Sequence, residues 1–248
     1  MNNKNYIFLV MAYNEEILIN KTIIELIGVI KKTEITNYDI HVVDDGSTDN
    51  TSKIVESLII KANIKLNIIK NSKNIGISKS VKNFIKLNSF EDNDFLILIS
   101  GDNDLDSKLI EKLINESKNV NFVISYFINR EKKELFRAFL STSFNLIMCT
   151  LFKVYAFYLQ GPFVWPLKYV KKMKIHSSGI AYVSEINIKL LNSGLTFSEI
   201  GGMMNTGSEN STSLKIKNFI DIFYTIVILI YEIYIIKLYN VKSIRFKK

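Results

Sequence analysis

The chain has 248 residues, is 48% hydrophobic and 23% charged, and carries a formal net charge of +8. These values exclude a disordered polar chain and fit one principal folded domain with a substantial core. A single cysteine, Cys149, excludes an intrachain disulfide and a cysteine-based metal cluster; within "NLIMCTLF" it reads as buried filler in a protein of a reducing compartment.

The positive charge is mostly lysine, since Arg130, Arg137 and Arg245 are the only arginines. A lysine excess suits anionic partners in general, whether nucleic acid, phosphorylated substrate or acidic lipid, and does not choose among them. The wealth of Ile, Asn and Lys reads as genomic base composition.

In chain order, apolar runs of strand length alternate with helical patterns. The first run, 6–12, is as short as a signal-peptide core, but no small-residue cleavage site follows and "NEE" comes next, so it is expected to be a strand. Further strands are expected at 39–43, 65–70, 95–100 and 122–126, separated by segments of helical period such as "EILINKTIIELIGVIKK" and "SKLIEKLINES". This is a βαβ series, hence an α/β fold with a mostly parallel sheet flanked by helices, in which ligands bind at the carboxyl ends of the strands. "AYNEE", "DDGSTDNT", "NIGIS" and "GDNDLD" follow the first four runs directly. No dinucleotide-binding or P-loop glycine pattern occurs. The C-terminal third is greasier: 135–159 is an apolar segment, and 219–238 is apolar apart from Asp221, Thr225, Glu232 and Lys237. Asn218, Asp221, Thr225 and Glu232 fall on one helical stripe. The expected division is a catalytic domain at 1–212 and a C-terminal apolar helix with a basic tail at 213–248.

Two acidic clusters carry the chemistry. Asp44 and Asp45 end a strand and Gly46 permits a sharp turn, so the pair is either a strand-turn-helix junction or an acceptor for a nucleobase N–H or ribose hydroxyl. Asp102, Asp104 and Asp106 stand at alternate positions, where like charges call for a cation. An EF-hand loop is excluded, because Ser107 and Leu113 occupy the positions where that loop needs Gly and Glu. Hard oxygen ligands without His or Cys favour Mg2+ or Mn2+, which commonly bridges phosphates and would stabilise a diphosphate leaving group.

Taken together, "AYNEE", "VVDDGSTDNT", "NIGIS" and "GDNDLD", in this order on successive strand ends, resemble the family 2 glycosyltransferases of GT-A fold. The resemblance implies a nucleoside-diphosphate sugar donor lined by Ala12, Tyr13, Asn14, Glu15, Gly46, Gly76, Asp102 and Asn103, with Asp44 or Asp45 on base or ribose. It also implies a metal held by Asp102, Asp104 and Asp106, with Asp104 catalytic. Met11 stands where the family usually has Pro. Beyond residue 126, "SYFINREKKELFRAFLSTSFNLIMCTLF", "LQGPFVWP" and "FSEIGGMMNTGSENSTSLKIKN" resemble the dolichyl-phosphate mannose synthase group of polyprenyl-phosphate sugar synthases. That resemblance implies amphipathic helices at the membrane and a lipid-phosphate acceptor met by Arg130 and Arg137. It departs from the group's pattern at Phe127 and at Met204, Asn205 and Thr206, where basic residues are expected.

Glu185 is the best remaining carboxylate for a general base, which a hydroxyl acceptor needs and an ionised lipid phosphate does not. His41 and His176 are expected to be structural. Trp165 and the other aromatics sit on no recognisable nucleic-acid module, and no nucleic-acid partner is expected. A helix over 218–238 is about 30 Å long, enough to cross a bilayer. Asp221 and Glu232 oppose that at about 3 kcal/mol for a mid-bilayer carboxylate, which favours an interfacial helix beside the catalytic domain.

The expected function is therefore metal-dependent, inverting transfer of a sugar to a polyprenyl phosphate at the cytoplasmic face of a membrane. The alternatives are transfer to a hydroxyl in surface-glycan synthesis and a catalytically silent nucleotide-sugar-binding or scaffold protein.

Overall fold

The computed structural model describes residues 4–62, 65–129, 135–205 and 216–246. β1 (Asn5–Ala12), β2 (Tyr38–Asp44), β3 (Leu66–Lys70), β4 (Asp94–Ser100) and β5 (Phe122–Phe127) each fall within one residue of the sequence expectation at either end. Three further strands are not predicted by the sequence pattern: β6 (Phe163–Pro166), β7 (Thr196–Gly202) and β8 (Ile244–Arg245). All eight form one sheet in the order β3-β2-β1-β4-β6-β5-β7-β8. The sheet is mixed: β6 runs antiparallel to both neighbours, β4 and β5, while every other pairing is parallel.

β1 reads as a continuous apolar run because it is covered on both faces. Tyr6, Phe8, Val10 and Ala12 join one core cluster, and Ile7, Leu9 and Met11 join the other, the alternation a strand imposes. The first cluster is closed by α1 (Ile19–Lys32), whose buried Ile19, Ile23, Leu26 and Ile30 recur at helical spacing, and by α4 (Ser107–Ser117). α2 (Thr51–Ala62) follows β2, and α3 (Ile77–Leu87) covers the second cluster with Val81, Phe84 and Ile85.

The second cluster also takes in α5 (Leu135–Leu151), the short α6 (Leu167–Val170), α7 (Tyr182–Leu191) and α8 (Ile216–Ile230) with a π-helical turn at Tyr231–Ile235. Every residue of α7 is buried, including Glu185, Asn187 and Lys189, so each polar group needs a partner inside. Asn187 finds two: its Oδ1 accepts from Trp165 Nε1 at 2.7 Å and its Nδ2 donates to the Leu159 carbonyl at 2.9 Å. Trp165 is fully buried and stacked on Phe163, so it serves the core. Gly161, just ahead of β6, is obligatory: a Cβ there would lie 1.8 Å from the Ser125 carbonyl oxygen.

α8 turns its polar stripe inward. Asp221, Thr225 and Glu232 are buried against the domain, whereas Ile220, Phe223, Val227, Tyr231 and Ile235 on the opposite side are exposed. The stretch Asn218–Ile235 is long and apolar enough to cross a membrane by length and composition. α5 likewise exposes Phe136, Phe139, Leu146 and Ile147.

Candidate active site

The carboxyl ends of β1, β2 and β4 meet on one rim, because β1 lies between the other two. Backbone bonds fix the loops there: Asp45 N donates to the Ala12 carbonyl and Gly101 N to the Met11 carbonyl, both at 2.8 Å. A Cβ on Gly101 would stand 2.9 Å from that Met11 oxygen and 3.1 Å from the Ala12 Cβ, so glycine lets the β4 loop close onto β1. The loops after β1 and β2 are laced together. Asn14, at φ 57°, donates from its backbone to Ser47 Oγ and accepts from Thr48 N, and Glu15 N donates to Thr51 Oγ1. Tyr13 is exposed beside them.

The two aspartates after β2 are used differently. Asp45 accepts from Asn71 Nδ2 (2.7 Å), Ile75 N (3.1 Å), Gly76 N (2.8 Å) and Ser80 Oγ (3.1 Å). Of the about four lone-pair sites a carboxylate offers, the chain itself engages both on Oδ1 and one on Oδ2. It fixes the loop into α3, where Gly76 takes φ 88°. Asp44 accepts from Ser47 N at 2.8 Å and from Ser52 Oγ, which leaves capacity for a ligand donor. Gly46 sits at φ 79°, and a Cβ there would meet the Lys73 backbone at 2.5 Å.

At the end of β4, Asp104 N donates to Asp102 Oδ1 at 3.2 Å, and Asn103 between them is left-handed at φ 58°. Asp106 is set apart from that pair by its role as N-cap of α4, where its Oδ1 accepts from Lys108 N at 2.8 Å. Asn205, read in the sequence only as a departure from a basic pattern, and Asn129, which sequence reasoning passed over, hold this turn. Asn205 donates from its backbone to the Asp104 carbonyl and from Nδ2 to the Asn103 and Leu105 carbonyls, and Asn129 exchanges two bonds with Met204.

The rim is electronegative. Glu15 is pushed up to about 7 by burial first, then by the charges of Asp102 and Asp49. Among the described residues no ion pair involves Glu15 or Asp102. An all-oxygen donor set with uncompensated negative charge fits a hard divalent cation.

Glu185, expected as a general base, lies away from this rim and is enclosed. It is 0% exposed, and its carboxylate accepts from His176 N, Ser177 N and Lys189 Nζ (2.8–3.0 Å). Lys189 also stands 2.7 Å from Glu232, whose other oxygen is 3.1 Å from His176 Nε2. His176, Glu185 and Glu232 bring ligand atoms within 4.8 Å of one another, a spacing suited to a metal, but the Lys189 ammonium supplies the cation between the two carboxylates. Arg130 lies outside the described residues, and of Arg137 only the backbone, in α5, is described.

Residues 7–170 match the model of glycosyl transferase family 2. The uncharacterised protein MJ0544 of Methanocaldococcus jannaschii is 35% identical over 149 residues, which span 58% of this chain and 61% of that protein. Among solved structures, mannosyl-3-phosphoglycerate synthase from Rubrobacter xylanophilus superposes with a TM-score of 0.68 at 14% identity, covering 92% of this chain and 74% of its own. Glucosyl-3-phosphoglycerate synthase from Mycobacterium tuberculosis, in complex with Mn2+, UDP-glucose and phosphoglyceric acid, gives 0.65 at 12% identity and covers 91% and 80%. S. aureus TarS 1-349 with UDP-GlcNAc gives 0.60 at 18% identity and covers 92% and 66%. These structures share the fold, and they overturn the polyprenyl-phosphate acceptor expected from the region after residue 126. The likeness covers that region too, in proteins named for phosphoglycerate products rather than lipid-linked ones.

Proposed function

Because the chain belongs to glycosyl transferase family 2, and is therefore a glycosyltransferase of GT-A fold, we propose that it moves a sugar from a nucleoside-diphosphate sugar to a hydroxyl of a small molecule or a glycan. One observation carries this reading: Asp44, Glu15, Asp102 and Asp104 stand at the carboxyl ends of three adjoining strands, with Asp44 keeping free acceptor capacity. On this reading Asp44 accepts from the base or ribose. Ala12, Tyr13, Asn14, Gly46, Gly76 and Asn103 shape the donor groove around it.

Asp102 and Asp104 would hold Mg2+ or Mn2+, which when bound neutralises the charge that builds on the leaving diphosphate. Asp106 is left to cap α4, so two aspartates and not three form the cation site. A hydroxyl acceptor loses its proton as its oxygen bonds to the anomeric carbon. With Glu185 enclosed and Asp102 and Asp104 given to the cation, Glu15 is the rim carboxylate proposed to take that proton. The working place on this reading is the cytoplasmic face of a membrane, supported by the outward apolar sides of α5 and α8.

The test is an assay of the purified chain with a panel of labelled nucleotide sugars and hydroxyl acceptors, phosphoglycerate among them, with and without Mn2+. Metal-dependent transfer of label to a hydroxyl compound is expected. Donor binding without turnover on any acceptor would favour the silent binding protein.

A further inference from the structure

We propose that the outward sides of α8, its π-helical turn and α5 form a docking face for an anionic lipid surface, with α8 lying in the plane of the headgroups and not crossing the bilayer. The inference deepens the membrane placement above and rests on it.

α8 is amphipathic in reverse of a water-exposed helix. Its polar groups are pinned inside: Asp221 Oδ2 accepts from Ser177 Oγ at 2.6 Å, Asp221 Oδ1 from Ser178 N at 2.8 Å, and Glu232 meets Lys189 at 2.7 Å. Thr225, fully buried, returns its hydroxyl to the Asp221 carbonyl. A Cβ on Gly179 would come 2.8 Å from Asp221 Oδ2, so the loop is cut to fit that carboxylate. A span would pull these groups into hydrocarbon or strip them from their partners, whereas a helix lying flat keeps all of them.

What faces outward is large and apolar. Ile220 is 66% exposed, Phe223 70% and Ile235 68%, and Phe139 and Leu146 on α5 are each 66% exposed. The two helices meet at their carboxyl ends, where Tyr234 donates to the Leu151 carbonyl and stacks on Phe152. Contact at these ends brings the two exposed apolar sides toward one another, the kind of surface that marks a membrane or protein interaction site.

Charge selects the occupant. No Asp or Glu occurs between residues 134 and 185, and the two acidic residues of 213–248 are Asp221 and Glu232, both turned inward. Lys153 and Lys237 stand exposed just beyond the ends of the two helices. These cations beside an apolar, Tyr-bearing centre complement anionic headgroups over an acyl boundary. A second copy would set them against their own counterparts.

The inner side of α8 is linked through one loop to the helix beside the donor rim. Ser177, held by Asp221, accepts through its carbonyl from Ser78 Oγ and Lys82 Nζ of α3, the helix whose entry loop Asp45 fixes.

The test uses the full chain with vesicles of phosphatidylcholine alone or mixed with phosphatidylglycerol, read by flotation. Binding is expected only to the mixed vesicles, weakened by salt and released by alkaline carbonate. The double variant Ile220→Ser/Phe223→Ser, which changes exposed atoms alone, should bind about tenfold more weakly and retain UDP-sugar binding. Carbonate-resistant insertion would overturn the in-plane geometry. Vesicle indifference, with a solution dimer that the double variant dissociates, would assign the face to a second copy. Either result with UDP-sugar binding intact sinks this inference alone, whereas loss of metal-dependent sugar transfer in a vesicle-binding protein would sink the transferase reading.

Discussion

Asp44 and Asp45 are neighbours in sequence with opposite obligations. Replacing Asp45 by Ala orphans the half-buried Ile75 and Gly76 amides, each at most about 1–3 kcal/mol, and should lower the denaturation midpoint. Asp44→Asn keeps the turn and should weaken donor affinity about tenfold with little loss of stability. Calorimetric titration beside denaturant melts separates the two; equal losses of stability would remove the distinction. Glu15 gives a pH signature. Its carboxyl holds its proton to about pH 7 in the folded chain against 4.5 ordinarily, so the folded form binds the extra proton between those values. The stability this group contributes is present below 4.5 and is lost as pH rises to 7. Cation binding runs the other way, because a divalent ion competes with that proton. Mn2+ affinity should rise several-fold from pH 6 to pH 8, and Glu15→Gln should flatten the rise, as measured by calorimetry at the two pH values.

At the scale of elements, the charge knot of α7 binds α8 to the domain. Removing only the cation, in Lys189→Met, leaves two buried carboxylates facing each other and should cost about 3–5 kcal/mol in urea unfolding. Adding Glu185→Gln and Glu232→Gln should recover most of that loss. A single variant as stable as the parent would show that the knot is hydrated. Legibility from sequence divides along the same line. The first five strands announce themselves because a buried parallel strand is a continuous apolar run, and each site motif lies directly after one. β6 is four residues that follow Pro162 and end in Pro166, β7 ends in Gly-Gly and carries Glu199, and β8 is two residues long. Glu199 is tolerated because Arg245, far along the chain, reaches it at 2.7 Å. Glu185 was open to misreading for the same reason. Its partner Lys189 is visible one turn ahead, but such a pair ordinarily marks a wet helix face, and only the packing shows α7 to be enclosed.

For the molecule as a whole, β6 is the keystone of the sheet: it alone joins the β3-β2-β1-β4 block to the β5-β7-β8 block. During synthesis β4 is complete at Ser100, yet its partner is not finished until Pro166. At roughly 5–20 residues per second the emerging chain thus carries an apolar strand with an open edge for several seconds. Such an edge is a template for pairing with another chain. A fragment ending at residue 121 is expected to self-associate at micromolar concentration in light scattering, and a monodisperse fragment would count against it. The late return of four residues therefore sets a window in which the nascent polypeptide depends on chaperones, a vulnerability of manufacture that the finished enzyme no longer displays.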